Sequence, residues 1–376
     1  MARILTKLKD LYIQTRGFHT KRHLLIMESD DWGSIRMPSK EVFDTLRKEG
    51  DNPQDDAFLS NDCLEHSEDL ENLFDVLQSV TDSKGNPAVV TANFVMANPD
   101  FDKIDYLAGK YEYEPFFETY KKYYPDNDVL STIKKGIKLG IFYPQLHCRE
   151  HLNVNRWMRD LKNGKADSIQ AFRHKMIGVG KSFSPDNPFG YMDSFNTDSS
   201  TSGELSDILK TGSLMFKQMF GYESKSFVAS CFVWSKGLER SMSTVGIRAI
   251  QSGPWQLVPR SNQNTLGFQR RIHYTGQKNH CGQIYTVRNC SFEPAYKQNP
   301  REAALECIDK VRKAFKAHKP AVIDTHRFNY IGSIKKDNAK NNLEALRYVL
   351  GTLSCEFKDL EFISTAQLVD IILGNK

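Results

Sequence analysis

Short apolar runs alternate along the chain with longer stretches in which apolar residues recur every three or four positions. The runs are rich in Val, Ile and Phe and are bounded by Gly, Pro or Asn, a pattern that predicts strands. They cover residues 23–28, 88–97, 140–147, 226–234, 246–252, 283–287 and 321–325. The periodic stretches predict helices over residues 39–48, 65–79, 131–138, 203–220, 300–316, 338–352 and 365–373.

Strands that alternate with helices form right-handed βαβ units, so this order predicts an α/β fold with a parallel sheet. About seven strands over 376 residues suit a barrel. The rhythm breaks over residues 153–202, where Ser, Asn, Asp and Gly are frequent and the strand signal is weak. Long irregular segments of compact domains often have a function. We expect an ordered loop that caps the active-site face, held by Phe189, Tyr191, Met192 and Phe195.

Composition narrows the classes of function. The chain has 51 basic and 46 acidic residues, and its basic runs are short, so we expect no nucleic-acid partner. Its seven cysteines include no CxxC pair, which argues against a disulfide framework or a structural zinc knuckle. The N-terminal residues lack the apolar core of a secretory signal, and no apolar run approaches the roughly 18 residues of a membrane span. We therefore expect a cytoplasmic protein that does not enter a membrane.

The first run ends in a group of acids. The stretch LLIMESDDWGS, residues 24–34, places Glu28, Asp30 and Asp31 at the end of a predicted strand. Clustered carboxylates repel one another and resist desolvation, so the chain either reaches solvent here or meets a cation. In parallel α/β folds, ligands bind at the carboxyl ends of the strands. Taken alone, the motif fits both an exposed acidic turn and part of a functional site.

Two further strands end in histidines. In LGIFYPQLHCREHLNV, residues 139–154, His147 and His151 are four apart and would share one face of a helical turn. His326 follows the apolar run of AVIDTHRFNY, residues 321–330. Each motif alone also fits chance spacing or a structural histidine. At one edge of a sheet, however, two histidines and a carboxylate would form a three-ligand site for a metal such as Zn²⁺, with an open position for water.

Together these segments resemble the polysaccharide deacetylases, the NodB-homology carbohydrate esterases. ESDDWG is similar to the family's T-F-D-D motif, HCREH to its H-[S/T]-x-x-H motif and IDTHR to its last, histidine-containing motif. Residues 203–234 also resemble the helix and strand before the family's third motif. The resemblance spans roughly residues 23–373. It implies one domain over residues 1–376, a distorted (β/α)7 barrel with residues 153–202 inserted after the second motif.

The resemblance also implies a reaction, the metal-dependent removal of N- or O-acetyl groups from a carbohydrate. The implied ligands of a divalent metal are Asp31, His147 and His151, with Zn²⁺ as the first choice and Co²⁺, Ni²⁺ or Mn²⁺ as alternatives. Asp30 would be the catalytic base and His326 the general acid. Cys148, between the two histidines, is expected to be structural, and Glu28 to point away or to support a ligand histidine.

Three residues are candidates for contacts with the substrate. Sugar rings stack on aromatic faces, so Trp32 and Trp234 are candidates for substrate binding. Arg327, beside His326, is a third candidate.

Two departures from the family pattern leave the function open. The family's third motif has an Arg that orients the base, but FVASCFVWS, residues 227–235, has none, and Arg327 is the candidate replacement. The family's acid that tunes the general acid is also not visible, because SGPWQLVP, residues 252–259, contains Trp255 but no Asp.

The competing functions differ in the bond that is broken. The chain could hydrolyse a C–N bond of a small amide, or cleave a glycosidic bond with Asp193 or Asp198 as a second carboxylate. It could also be a non-catalytic protein that binds metal and glycan. The expected partner is a carbohydrate or a small amide, and the pattern does not indicate an oligomeric state.

Overall fold

Parallel strands form the centre of the computed structural model, which describes residues 12, 13, 15–179, 189–260 and 267–374. The strands are β1 (His23–Trp32), β2 (Val90–Val95), β3 (Ala97–Pro99), β4 (Tyr113–Pro115), β5 (Phe142–Cys148), β6 (Ser226–Val228), β7 (Ala249–Ser252), β8 (Trp255–Pro259), β9 (Phe268–Ile272), β10 (Ile284–Val287), β11 (Cys290–Ser291), β12 (Ala321–His326) and β13 (Leu360–Phe362). The α-helices are α1 (Lys40–Lys48), α2 (Ala57–Asn61), α3 (Ser67–Gln78), α4 (Phe116–Tyr123), α5 (Val129–Lys138), α6 (Val154–Lys162), α7 (Ala166–Arg173), α8 (Ser202–Phe220), α9 (Lys236–Thr244), α10 (Pro300–Lys316), α11 (Lys336–Glu356) and α12 (Thr365–Leu373).

Nine of these strands form one sheet in the order β10-β7-β6-β5-β2-β1-β12-β11, with β13 paired to the first residues of β1. Every strand pairing within this sheet is parallel. The carboxyl ends of the strands therefore lie at the same edge, as the alternating pattern predicts. The two hairpins, β3–β4 and β8–β9, are antiparallel and form small separate sheets.

The two edge strands of the large sheet are joined by a very short piece of chain. Between β10 and β11 lie only Arg288 and Asn289. The Arg288 amide donates to the Ser252 carbonyl (2.9 Å), and the Asn289 amide donates to the Val322 carbonyl (3.1 Å). Residues 284–291, the joining segment, thus bond to both edges, and the sheet curls into the barrel-like α/β fold that was predicted.

The predicted strands and helices are all present. The helices over residues 300–316 and 365–373 have the predicted ends, whereas the other elements begin or end at shifted residues. The first strand is longer than expected because β1 continues through both aspartates to Trp32. The strand predicted over residues 226–234 is shorter and ends at Val228. There the chain turns, with Cys231 and Phe232 at φ values of 56° and 55°. The pattern missed the strands β11 and β13, the two hairpins, and five helices, namely α2, α4, α6, α7 and α9.

The helices cover the sheet with apolar faces. Along α10 the buried positions recur every three or four residues, at Ala304, Cys307, Ile308 and Val311. The helix begins where Pro300 follows Asn299, whose side chain accepts a hydrogen bond from the Arg301 amide. Across the part of the chain that the structure describes, no helix is long and apolar enough to cross a membrane.

Two helical glycines provide a test of this packing. A Cβ on Gly136 in α5 would lie 2.4 Å from the Phe74 ring of α3, whereas one on Gly351 in α11 would meet nothing within 4 Å. Alanine is favoured over glycine in helices by about 0.5–1 kcal/mol. We therefore expect Gly351→Ala to raise the free energy of unfolding by about that amount. Gly136→Ala should instead lower it by about 1–3 kcal/mol through overpacking, as measured by denaturant unfolding. A stabilised Gly136→Ala variant would contradict this close helix contact.

Candidate metal centre and active-site cleft

A cleft of about 480 Å³ opens at the carboxyl edge of the sheet. It is lined by all five residues predicted for metal binding and catalysis, namely Asp30, Asp31, His147, His151 and His326. Asp30 and His326 are partners in the register of β1 and β12, which places base and acid candidates on neighbouring strands. The three motifs therefore converge, although they are as far apart as residues 30 and 326 in the sequence.

A break in β1 lets two consecutive aspartates reach the cleft. The pairing of β1 with β2 shifts register between Ser29 and Trp32, and Asp31 has a φ of 76°. Bulges of this kind redirect side chains, and a positive φ is rare for a residue with a Cβ. Next to it, Gly33 has a φ of 78°, and a Cβ there would lie 2.8 Å from the Val95 carbonyl oxygen. The chain can therefore turn tightly only with glycine at this position.

Asp31, His147 and His151 form a candidate metal-binding group. Their ligand atoms all lie within 4.8 Å of one another, and the three residues are buried. Asp31 Oδ1 is 3.4 Å from Nε2 of each histidine. His147 belongs to β5 and His151 to the bend that follows. The prediction of a helical turn from the four-residue spacing is therefore wrong. The strand end and bend bring the two rings to a centroid distance of 4.8 Å instead.

The hydrogen bonding of this group leaves room for a cation. His147 donates from Nδ1 to the Val228 carbonyl at 2.9 Å, which leaves Nε2 as the nitrogen that faces the group. Asp31 Oδ1 is buried and accepts no hydrogen bond among the described residues. Burial lowers the pKa of His151 to about 3, which keeps its imidazole in the neutral form that binds metals. An orphaned carboxylate oxygen beside imidazole nitrogens is the donor set that suits Zn²⁺ and similar cations.

Asp30 is held by an arginine that the sequence analysis did not identify. Arg288 donates to Asp30 Oδ1 (2.7 Å) and Oδ2 (2.8 Å), and Asn93 adds a bond to Oδ1 (2.7 Å). The remaining donors of Arg288 reach Glu28 (2.7 Å), Asp324 (2.6 Å) and, more weakly, Gln251. Burial opposes the charge of Asp30, but Arg288 outweighs it and lowers the pKa of Asp30 below its ordinary value. Asp30 is thus ionised and fixed in orientation.

The position of Arg288 also excludes one of the two expectations for Glu28 and corrects the one for Arg327. Glu28 does not support a ligand histidine, because its carboxylate binds Arg288 and accepts from Thr365 Oγ1 (2.8 Å). Arg327 does not replace the missing third-motif cation, because it is fully buried and paired with Asp62 (2.7 Å) and Glu65 (2.6 Å). Arg288 directly follows the predicted strand 283–287, so the strand-end rule that found the histidines would have found it as well.

Burial shows that the three predicted substrate contacts are wrong. Trp32, Trp234 and Arg327 are at most 1% exposed, and none lines the cleft. The Trp32 indole donates to Ser29 Oγ (3.0 Å), and that of Trp234 donates to Glu239 (3.1 Å). Core packing of these large side chains leaves them no surface for a ligand.

His326 is paired with Glu293, which sequence reasoning also missed. The distance from His326 Nδ1 to Glu293 Oε1 is 2.6 Å, and Asn329 donates to the other carboxylate oxygen at 2.6 Å. Burial opposes the imidazolium, but Glu293, helped by Asp31 and Asp30, outweighs it and raises the pKa of His326 to about 10. Glu293 follows β11, a two-residue strand that is too short to be recognised from the sequence. The sequence pattern places the acid that tunes the general acid near Trp255 instead, and Trp255 lies exposed on β8.

The ligand atoms of Glu293, Asp324 and His326 also lie within 4.8 Å of one another. Their oxygens, however, already have strong partners. Arg288 donates to Asp324 (2.6 Å), and His326 and Asn329 bind the two oxygens of Glu293. A cation here would have to displace these donors. The group of Asp31, His147 and His151, the Asp31 group, is therefore the better metal candidate.

Described residues of the region 153–202 contribute to the wall of the cleft, from Ile177 to Met192. The region is less irregular than expected, since it contains α6 and α7, and residues 180–188 lie outside the described part of the chain. Phe189, Tyr191 and Met192 line the cleft, whereas Phe195 is buried against Phe227.

The two acids of the inserted region that are candidate glycosidase carboxylates have another role. Arg156 binds Asp193 (2.8 Å) and Asp198 (2.8 Å), and neither acid lines the cleft. They are structural partners of Arg156.

Comparisons with known proteins give remote likenesses only. No protein-family model matches the sequence, and the search of curated proteins gave no match. A protein assigned as a polysaccharide deacetylase from Mycobacterium smegmatis aligns over 96% of this chain and 93% of its own, with 9% identity and a TM-score of 0.43. A CE4 family pseudoenzyme from Bacillus anthracis aligns over 94% and 67%, with 10% identity and a TM-score of 0.41.

A glycan-processing enzyme is also among the similar structures. The 4-alpha-glucanotransferase from Thermococcus litoralis aligns over 94% of this chain, with 11% identity and a TM-score of 0.46. The chain spans only 40% of that enzyme's length. TM-scores below 0.5 at such identities do not assign a function, which must be argued from the site itself.

The pairing of Glu293 with His326 predicts how the pKa of His326 responds to loss of the carboxylate. In Glu293→Gln the carboxylate charge is lost, so the pKa of His326 should fall by about 1–3 from its value of about 10. Because the folded-state pKa is raised, the pair stabilises the fold fully below pH ~6.5, the unfolded value, and this contribution disappears as the pH rises through about 10. NMR titration of the His326 ring in the metal-free protein measures the shift, with Glu361→Gln as a distant control. An unchanged pKa of His326 would contradict the pairing.

Proposed function

We propose that the protein is a metal-dependent hydrolase that removes acyl groups, with N- or O-acetyl groups of a carbohydrate as the first choice of substrate. The observation that carries the proposal is the convergence of Asp31, His147 and His151 around one point, with Asp30 and His326 in the same cleft. The resemblance of the three motifs to polysaccharide deacetylases supports it. We propose Zn²⁺ as the cation, with Co²⁺, Ni²⁺ or Mn²⁺ as alternatives.

The chain's own residues would divide the chemistry between them. A divalent cation held by the Asp31 group would supply a Lewis acid and lower the pKa of water. Asp30, kept ionised and oriented by Arg288, would take a proton from the attacking water. As the bond between the acyl carbon and the leaving nitrogen or oxygen breaks, His326 would give that atom a proton. Glu293 would keep His326 protonated until then.

The cleft offers surfaces for both parts of such a substrate. Tyr296 is 56% exposed and lines the cleft, so its ring can carry a sugar face in place of the buried tryptophans. Apolar side chains also line it and suit an acyl group, among them Ile35, Leu59, Ile177 and Phe232. These apolar walls favour a second candidate, hydrolysis of a small non-sugar amide. Assays for released acetate and released ammonia distinguish the two.

Glycoside cleavage and non-catalytic glycan binding are less well supported. Because Asp193 and Asp198 are bound to Arg156, no second carboxylate for a glycosidase comes from these two acids of the inserted region. The hypothesis of a non-catalytic binder rests on two residues that the sequence motifs lack, the arginine that orients the base and the acid that tunes the general acid. Arg288 and Glu293 are suited to those two roles, which favours an active enzyme.

The metal site can be tested directly. Asp31→Ala, His147→Ala and His151→Ala should each abolish stoichiometric metal, because a three-ligand site that loses one ligand binds weakly. Elemental analysis of the purified variants measures this. His273→Ala is the control, since His273 is 4% exposed but bonded to Gln256, away from the cleft, and should retain the metal. Full metal retention in all three variants would end the proposal.

The role of Asp30 is tested by a variant of the same shape. Asp30→Asn keeps the size of the side chain but cannot accept a proton, so turnover should fall by about 10²–10⁴-fold while the metal content stays unchanged. Steady-state release of acetate from an acetylated oligosaccharide panel, with metal content measured in parallel, separates the two effects. Wild-type turnover in this variant would remove Asp30 from the role of base.

A further inference from the structure

A second arginine contacts the candidate metal-binding group itself. Arg36 lines the cleft, and its Nη2 donates to Asp31 Oδ2 at 3.1 Å. Its Nε donates to Asp62 Oδ2 at 3.0 Å, and its guanidinium lies over the Phe58 ring, 4.4 Å from the centroid. The side chain is only 13% exposed. Arg36 has no part in the proposed proton transfers.

The contact with Arg36 makes the two oxygens of Asp31 different. Oδ2 accepts from Arg36, whereas Oδ1 has no hydrogen-bond donor among the described residues and lies 3.4 Å from Nε2 of both His147 and His151. A carboxylate next to a cation can bind through one oxygen or through both. With Oδ2 engaged, only Oδ1 is free for a metal.

The guanidinium of Arg36 is anchored from the side opposite Asp31. Its second partner, Asp62, is fully buried and also accepts from Arg327 at 2.7 and 3.0 Å. Arg327 in turn binds Glu65 at 2.6 Å, and Glu65 accepts from the Gly33 amide at 2.8 Å. The alternating charges thus lead back to the turn that carries Asp31. Arg36 is therefore held by this network independently of its bond to Asp31.

We propose that Arg36 is a positioning residue that restricts Asp31 to one metal-binding oxygen and competes with the metal for the negative charge of Asp31. The inference rests on the proposed metal site. Its consequence is a metal that is bound less tightly than the three ligands alone would allow, but that retains a coordination position for substrate and more Lewis acidity. The site would therefore give up affinity in favour of reactivity.

The test is a metal titration of the metal-free protein. In Arg36→Met the second oxygen of Asp31 is released and the competing charge is lost, so both effects tighten binding. We expect the dissociation constant for Zn²⁺, measured by competition with a chromophoric chelator, to fall at least tenfold. The visible absorption of the Co²⁺-loaded variant should lose intensity because the coordination number rises. Asp62 keeps Arg327 as a partner, so the substitution does not leave that buried charge unpaired.

Two control variants separate positioning from general damage. Arg149→Met removes an arginine of equal exposure, 13%, that is stacked on Tyr113 and paired with Glu150, and it should leave the Zn²⁺ affinity within threefold of wild type. Arg36→Lys keeps the positive charge and should stay closer to wild type than Arg36→Met. Equal or weaker Zn²⁺ binding by Arg36→Met, beside a wild-type protein that binds one Zn²⁺, would overturn this inference alone. A wild-type protein that binds no Zn²⁺, Co²⁺, Ni²⁺ or Mn²⁺ would overturn the proposed function, and this inference with it.

Discussion

The structure depends on the buried charge cluster centred on Arg288. One guanidinium serves three carboxylates, Glu28, Asp30 and Asp324, at distances of 2.6–2.8 Å. Such a cluster is expensive to desolvate, and removal of one partner from a buried pair typically costs about 3–5 kcal/mol. Burial raises the pKa of Glu28, in keeping with one cation shared among three acids. The arginine and the acids therefore require one another, and the candidate base is fixed as a result.

Around this cluster the site consists of two charge networks with different tasks. On one side Arg288 and Asn93 hold Asp30 within the barrel. On the other, Arg36, Asp62 and Arg327 support the turn that carries Asp31. The candidate metal-binding group lies between them and contains a buried oxygen with no donor among the described residues, Asp31 Oδ1. A polar site this deep is stable only when nearly every group has a partner, so this oxygen and His151 Nδ1 of the same group are informative exceptions.

Much of the fold follows from periodicity, because burial on the sheet selects apolar runs and helices need one apolar face. The residues of the three motifs also follow, since the carboxyl ends of parallel strands meet at one edge. The partners of those residues follow less directly. Arg288 lies at the end of a predicted strand and could have been found by the same rule, whereas Glu293 follows a two-residue strand and looks like an ordinary surface charge in the sequence. The prediction that Trp32 and Trp234 bind substrate is wrong. An aromatic side chain suits sugar stacking and core packing equally well, and only its exposure distinguishes the two.

The joining segment gives the barrel a particular kind of coupling. Because residues 284–291 bond to both edges of the sheet, separation of the edges would displace the backbone of Arg288. Its side chain would then leave Asp30, so mechanical opening of the barrel and loss of the candidate base would be one event. Under the proposed function, activity would report on closure of the sheet. A chain cut or circularly permuted within this segment would lose both together, whereas a cut in the β8–β9 hairpin would leave both edges joined.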